Sequence, residues 1–139
     1  MSSLDKRIAV IVDPSLPLGL IANTVATIGI GIGAAEVAFG NTPLTDATGR
    51  NVLTSANRPV PILQASSATI GALLLRALPA PEGGLLVPFP RFARNIRLFA
   101  DYLAEFPRRD LRGEAIEGLG MAGPAKWVKS LTGDLKLLR

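Results

Sequence analysis

The sequence predicts an α/β fold, a three-layer α/β/α sandwich whose mixed sheet of about four strands is covered by helices on both faces. The first observation is an apolar run rich in β-branched residues at 8–12, followed by a turn at 13–15 and a long uncharged apolar stretch at 16–35. The second is that strand-like and helical patterns go on alternating along the chain. The length of 139 residues suits a single domain over 1–139.

The middle of the chain begins with a surface excursion. Residues 37–58 are rich in Gly, Asn, Thr, Asp and Pro, with a turn at 46–49 and a short strand at 50–53. Residues 60–65 then predict a second core strand. The two prolines at its start predict either an edge position or a late start.

Two helices and a third strand follow. Ser66 and Ser67 are suitable N-cap residues for a helix over 68–78, whose apolar positions share one face. Residues 85–87 predict the third strand. The spacing of apolar residues over 91–106 predicts one continuous helix.

The last part of the chain predicts a strand, a helix and a return to the sheet. Residues 114–121 predict the fourth strand, in which Gly118 and Gly120 indicate that the strand backbone either approaches something closely or bulges. Residues 125–131 predict a helix opened by proline. Residues 135–138 return to the core or to an edge.

Composition excludes several kinds of chemistry. The chain has no cysteine and no histidine, so Ser/His/Asp, Cys/His and His- or Cys-ligated metal sites cannot be built. We therefore expect no metal and no cofactor. The remaining weak catalytic candidates are Asp13, at the end of the first strand, and Thr27.

Charge and hydropathy bear on partners. The net charge is +4, and the excess lies in residues 71–139, which hold eleven basic and seven acidic side chains. Nucleic-acid binding is possible but not favoured, because the arginines are interleaved with acids. Residues 16–35 are long enough to span a membrane, but their glycines, Pro17 and polar residues favour a core helix. With no signal-peptide pattern at the amino terminus, we expect a cytoplasmic protein without a membrane span.

The segment 29–34, GIGIGA, matches the relaxed dinucleotide fingerprint G-x-G-x-x-A. That fingerprint requires its glycines between a strand and the start of a helix. Here they follow a stretch that already reads as helix. We interpret them as residues that permit close packing.

Candidate ligand-binding residues lie at two places in the chain. Asp13 follows the first strand, where open α/β sheets place ligands; its alternative role is that of a turn residue that accepts local backbone hydrogen bonds. Asn23 in the apolar helix would either tie that helix to a loop or face a pocket. Beyond the third strand, Arg91 and Arg94 are spaced to grip a carboxylate or phosphate, with Asn95 beside them. The alternative for these three residues is a solvated helix start.

The closing segment at 118–138, with its strand glycines, Gly-Pro, a short helix and a final Leu-Lys-Leu-Leu, resembles the carboxyl end of the type 2 peptidyl-tRNA hydrolases. The opening unit is similar to theirs as well. More closely, the segment PLGLIAN at 17–23 and nearly the whole chain resemble the domain of unknown function 2000 family. That resemblance implies the hydrolase fold.

The resemblance also implies that hydrolase chemistry is missing. Aligning Gly19 with the second glycine of the hydrolase motif puts Leu20 in place of a lysine and Thr27 in place of a histidine. The loop at 89–95 contains neither the aspartate nor the threonine of the hydrolases. Leu20 can neither polarise water nor stabilise an oxyanion.

We therefore predict a non-hydrolytic protein, forming a homodimer, that binds a small molecule or peptide with an anionic group. The ligand site is expected between the turn and helix start at 13–23, including Gly19, and the loop at 89–95. The alternatives are a peptidyl-tRNA hydrolase-like enzyme and a protein whose role is assembly alone.

Overall fold

The computed structural model describes residues 5–139, and its regular elements alternate between strands and helices. The strands are β1 (Lys6–Val12), β2 (Pro43–Thr45), β3 (Asn51–Leu53), β4 (Ile62–Gln64), β5 (Leu85–Pro90), β6 (Ile116–Pro124) and β7 (Lys136–Leu137). The helices are α1 (Leu18–Ala35), α2 (Ser67–Ala77), α3 (Phe99–Glu105) and α4 (Ala125–Thr132). The predicted mixed α/β class is confirmed.

The main sheet has five strands in the order β5-β6-β1-β4-β7, whereas about four were predicted. The additional strand is β7, which pairs with β4 through two residues. β1 and β4 are parallel, and the other neighbours are antiparallel. β4 lies inside the sheet, so its prolines mark a late start and not an edge. β2 and β3 form a separate hairpin around the predicted turn.

Side chains alternate along β1 between the two faces of the sheet, as the pleat requires. Ile8 and Val10 pack with residues of α1, and Ala9 and Ile11 pack with residues of α2 and α4. α2 begins at Ser67, one residue before the predicted start, and the predicted serine N-cap is confirmed, because the Ser66 hydroxyl accepts a hydrogen bond from the Thr69 amide at 3.2 Å. The sheet therefore has helices on both faces.

The strand glycines Gly118 and Gly120 are explained by the approach of α1. A Cβ atom at Gly118 would lie 2.5 Å from Thr24 Cγ2, and one at Gly120 would lie 2.3 Å from Ile28 Cγ2. Both distances are far inside van der Waals contact. The predicted close approach is therefore confirmed, and the approaching element is α1.

The glycines of α1 itself do not all act as expected. A Cβ at Gly31 would lie 3.1 Å from Val87 Cγ1, so this glycine packs closely on β5. Gly29 and Gly33 have open space around them, and there the packing interpretation was wrong. The glycine run lies in the second half of α1 and not before its start, so the dinucleotide-binding geometry is absent from it.

The segment 91–106 is not one helix. Arg91–Asn95 is a 3₁₀ turn, Ile96 and Leu98 are extended, and α3 begins only at Phe99. The expected apolar face is broken as well, because Phe92 is buried while Phe99 is exposed. Tertiary contacts of the turn, described below, override the local helical pattern.

α1 is long and apolar enough, by length and composition alone, to cross a membrane, and among residues 5–139 no other helix meets that criterion. It nevertheless packs on the sheet through Thr24, Ile28 and Ile32. One helix about 10 Å wide cannot cover five strands spaced about 4.8 Å apart. Grooves therefore remain on both sides of α1.

Candidate functional site

A buried carboxylate held by two arginines lies at one end of the sheet. Glu117 on β6 is 1% exposed. Arg91 Nε donates to its Oε2 at 3.1 Å, Arg94 Nε donates to its Oε1 at 2.8 Å, and Arg94 Nη2 also pairs with Oε2. Among the residues described, 5–139, no buried side-chain nitrogen or oxygen lacks a partner, so this charge is fully compensated.

The local sequence explains how the two arginines reach Glu117. β5 ends at Pro90, and its pairing with β6 shifts register between Phe89 and Pro90. The amide of Arg91 then donates to the Ala115 carbonyl at 2.8 Å, which anchors the 3₁₀ turn to the start of β6. Residues three apart eclipse one another in a 3₁₀ turn, so Arg91 and Arg94 lie on the same side.

Asp13 lies beside Glu117, because its amide donates to the Glu117 carbonyl at 3.1 Å. Burial alone would raise the pKa of Asp13. Hydrogen bonds from the Ser15 amide at 2.9 Å and hydroxyl at 2.7 Å oppose that effect. The Ser67 amide and the charge of Arg91 lower the pKa further, so the net pKa is below its usual value. Asp13 is therefore ionised and already occupied as an acceptor, which makes it a poor general base.

Asp13→Asn tests this electrostatic role. The folded-state pKa of Asp13 is depressed, so its stabilising contribution is present above the unfolded value of 3.8 and is lost as the pH falls below it. We expect the variant to lose about 1 kcal/mol of unfolding free energy at pH 7. Urea unfolding should show that the loss shrinks below pH 3.8. An equal loss of unfolding free energy at pH 7 and at pH 3 would contradict an electrostatic role for Asp13.

Taken together, the cluster is electrically neutral. Asp13 and Glu117 supply two negative charges, and Arg91 and Arg94 supply two positive ones. The two arginines do grip a carboxylate, as their spacing suggested, but the carboxylate belongs to this chain. A free anion at this place would have to compete with Glu117.

A groove of about 420 Å³ lies on the face of the sheet that α1 covers, between α1 and the segment that ends in α3. We call it the α1–α3 groove. Its walls are mostly apolar, including Val87, Phe89 and Phe99, and polar groups come from Thr27, Tyr102 and Arg97. Burial raises the pKa of the Tyr102 phenol, so this group remains neutral. The 3₁₀ turn that carries Arg91 and Arg94 also contributes Ala93 to the groove wall.

The predicted site residues therefore divide into three groups. Asp13, Arg91 and Arg94 come together around Glu117, and Thr27 lines the α1–α3 groove. The remaining candidates are exposed and belong neither to the cluster nor to the groove lining: Gly19, Asn23 and Asn95. Asn23 is thus not the buried amide that the apolar helix suggested.

Thr27 and Asp13 do not form a catalytic pair. The Thr27 hydroxyl donates to the Thr24 carbonyl of its own helix at 3.1 Å, and Asp13 faces the start of α2 across the sheet. Glu117 was missed by the sequence reasoning, although a signal existed. A glutamate inside an apolar strand is expected to have cationic partners, because lone carboxylates are almost never buried.

A second groove of about 470 Å³ runs along the other side of α1, beside the β2–β3 hairpin. Val10, Ile32 and Phe39 form part of its apolar wall, and Gly29 and Gly33 leave room in it. Its one acidic residue, Glu36, is paired with Lys6 at 2.8 Å, and this pairing lowers the pKa of Glu36. No group of three or more metal-ligating side chains was found within the described residues.

These features define a mixed α/β protein with a neutral ion-pair cluster at one end of its sheet and open grooves beside a single covering helix. The chain belongs to the family described as "Protein of unknown function (DUF2000)", whose model matches residues 6–139. This confirms the resemblance to the domain of unknown function 2000 family.

A solved structure, that of the protein of unknown function Atu0240 from Agrobacterium tumefaciens strain C58, has the same fold. The TM-score is 0.86 at 19% sequence identity, over 96% of this chain and 97% of that chain. At this identity the likeness shows the fold alone. No curated protein matches the chain.

Proposed function

We propose that this chain is a non-hydrolytic, cytoplasmic binding protein for a small apolar molecule that carries an anionic group. The ligand would lie in the α1–α3 groove, with its apolar part against Val87, Phe89 and Phe99. Concave, mostly apolar sites with a few polar groups are typical of small-molecule binding. The proposal moves the anion from Arg91 and Arg94, which Glu117 occupies, to Arg97.

Arg97 is the observation that carries the proposal. It lines the groove, is exposed, and makes no hydrogen bond or ion pair with any residue in 5–139. Arg97 is four residues before Asp101 but does not pair with it, because Arg97 precedes α3 and is not part of a helix. A guanidinium without a partner beside an apolar wall complements a carboxylate or sulfonate with an apolar tail.

Arg97→Gln is expected to weaken binding of an apolar carboxylate by roughly 10-fold to 100-fold, because a charge-assisted hydrogen bond contributes about 1.5–3 kcal/mol. We would measure octanoate and the neutral analogue octanol by calorimetry. The wild-type chain should prefer octanoate, and the variant should lose that preference. Octanol binding should change little.

The matched control is Arg76→Gln. Arg76 is also exposed and without a hydrogen bond or ion pair in the described chain, but it lies on α2, on the other face of the sheet. Its replacement should leave the octanoate preference intact. Equal wild-type affinity for octanoate and octanol, or loss of the preference in both variants, would refute Arg97 as the anion site.

We propose further that the fold is that of the type 2 peptidyl-tRNA hydrolases, without their reaction. The absence of the reaction is supported by Leu20 and Thr27, which stand where those enzymes have lysine and histidine. It is also supported by Asp13, which accepts hydrogen bonds from Ser15. A turnover assay with peptidyl-tRNA at stoichiometric protein separates the two functions. Peptide release above background would replace the binding proposal with the enzymatic one.

A further inference from the structure

The outer surface of α1 is apolar and carries no charge. None of its 18 residues is Asp, Glu, Lys or Arg, and only Thr24, Ile28 and Ile32 are buried. Leu18 is 81% exposed and Ile30 is 72% exposed. A helix on the surface of a soluble domain usually places charged and polar residues on its outer side. We call this surface the outer α1 face; at its centre are Gly19, Ala22, Ala26, Ile30 and Gly33.

The chain exposes more surface than its size requires. Its accessible surface is 8539 Å² at a mass of 14.6 kDa. A folded monomer of that mass exposes roughly 6,900 Å², so the excess is roughly 1,600 Å². A stable interface of standard size removes about 800 Å² from each partner. The excess, summed over the whole chain, is about twice the area that one partner of such an interface loses.

Other segments of the chain also expose apolar side chains. Val37 follows the helix, Val52 and Leu53 lie on the hairpin, and Phe99 and Leu103 lie on α3, and all five are exposed. Interfaces between identical subunits are richer in apolar area and poorer in charge than ordinary surface. The outer α1 face has this composition.

We propose that the outer α1 face packs against the same face of a second copy of this chain, related by a twofold axis near Ala26. An uncharged face meets its own copy without electrostatic repulsion, although each chain carries a net charge of +4. A membrane surface fits less well, because helices that lie on membranes carry Lys or Arg on their polar side and α1 has neither. The inference does not depend on the ligand proposed for the α1–α3 groove.

Cysteine cross-linking tests the proposal directly, because the chain has no native cysteine. Ala26→Cys lies next to the proposed axis and should form a disulfide-linked dimer under mild oxidation. Leu75→Cys, at an exposed position on α2, should remain monomeric on a denaturing gel. Analytical ultracentrifugation of the unmodified chain should show a dimer at micromolar concentration.

Ile30→Glu provides the second measurement. Because Ile30 is 72% exposed, its glutamate variant should keep the wild-type circular dichroism spectrum while its dimer dissociates at least tenfold more readily. Leu75→Glu should leave the dimer unchanged. A monomeric wild-type chain, a dimer that Ile30→Glu does not weaken, or a monomer that floats with vesicles of neutral and anionic lipid would each overturn the proposal.

Discussion

Gly120→Ala is expected to lower the free energy of unfolding by about 3 kcal/mol, the upper end of the range for overpacked cores. The added Cβ would lie 2.3 Å from Ile28 Cγ2 and 2.8 Å from Ile32 Cδ1, and both isoleucines are buried. α1 would have to move away from β6, which separates one of the two cores. Since domains are stable by only about 5–15 kcal/mol, this loss should be plain in chemical denaturation.

Gly113→Ala is the control for Gly120→Ala. No atom lies within 4 Å of the Cβ it would introduce, and Gly113 is not in the left-handed region of backbone space. Its effect should stay within about 0.5 kcal/mol. A loss as large as that of Gly120→Ala would mean that the glycines act through backbone freedom and not through contact.

A double-mutant cycle identifies the contact itself. Ile28→Ala removes the Cγ2 atom that the new methyl group would strike, although alone it should cost about 2–5 kcal/mol. The double variant Gly120→Ala with Ile28→Ala should lose less unfolding free energy than the sum of the two single losses, by about 1 kcal/mol or more. Strictly additive losses would contradict the close approach of α1 to β6.

The elements that local pattern predicts best are those whose pattern agrees with their surroundings. β1 alternates between two apolar cores, and α2 has both an N-cap serine and one apolar face, so sequence and structure coincide there. The segment 91–106 has an equally good helical pattern. In the structure, however, Arg91 and Arg94 pair with Glu117, and these contacts replace the helix. Phe92 also packs against Tyr102 and Phe106, with ring centroids 5.8 and 6.3 Å apart.

Only part of the candidate site could be predicted from the sequence. Asp13 and the two arginines follow the carboxyl ends of β1 and β5. These two strands run in the same direction, so their carboxyl ends lie at the same end of the sheet, and the association of the three residues follows from topology. Glu117 comes from a different strand, and its role depends on register between β1 and β6, which places Gly118 opposite Val12. Register of distant strands cannot be derived from the spacing of residues within one segment. The groove was not predictable either, because it results from incomplete covering of the sheet by α1.

Arg91→Ala together with Arg94→Ala is expected to cost about 3–5 kcal/mol of unfolding free energy, because the Glu117 carboxylate would remain buried without a cation. Most of the loss should come from Arg94, whose side chain is 26% exposed and pairs with both carboxylate oxygens. Arg91 is 60% exposed and makes one hydrogen bond, so its single variant should lose less. Urea unfolding of the single and double variants measures these losses and shows whether Arg94→Ala loses more unfolding free energy than Arg91→Ala.

Glu117→Gln separates the buried charge from the packing around it. With glutamine in place, the arginines lose their counter-charge but can turn toward water, so the loss should be about 1–2 kcal/mol, smaller than for the double arginine variant. Adding Glu117→Gln to the double variant should recover part of its loss, because the charge of Glu117 is then no longer buried without a cation. A triple variant less stable than the double one would show that the arginines stabilise the turn by packing alone.

The double arginine variant also distinguishes the ion-pair cluster from the proposed ligand site. If Arg91 and Arg94 serve Glu117, octanoate should still be preferred over octanol wherever the double variant remains folded, because Arg97 is unchanged. If the preference disappears in the folded double variant while Arg97→Gln retains it, the anion binds at the cluster in competition with Glu117. Arg91 and Arg94 lie in the 3₁₀ turn and pair with Glu117, whereas Arg97 follows that turn and lines the α1–α3 groove, so the same titration assigns the anion to one of the two places.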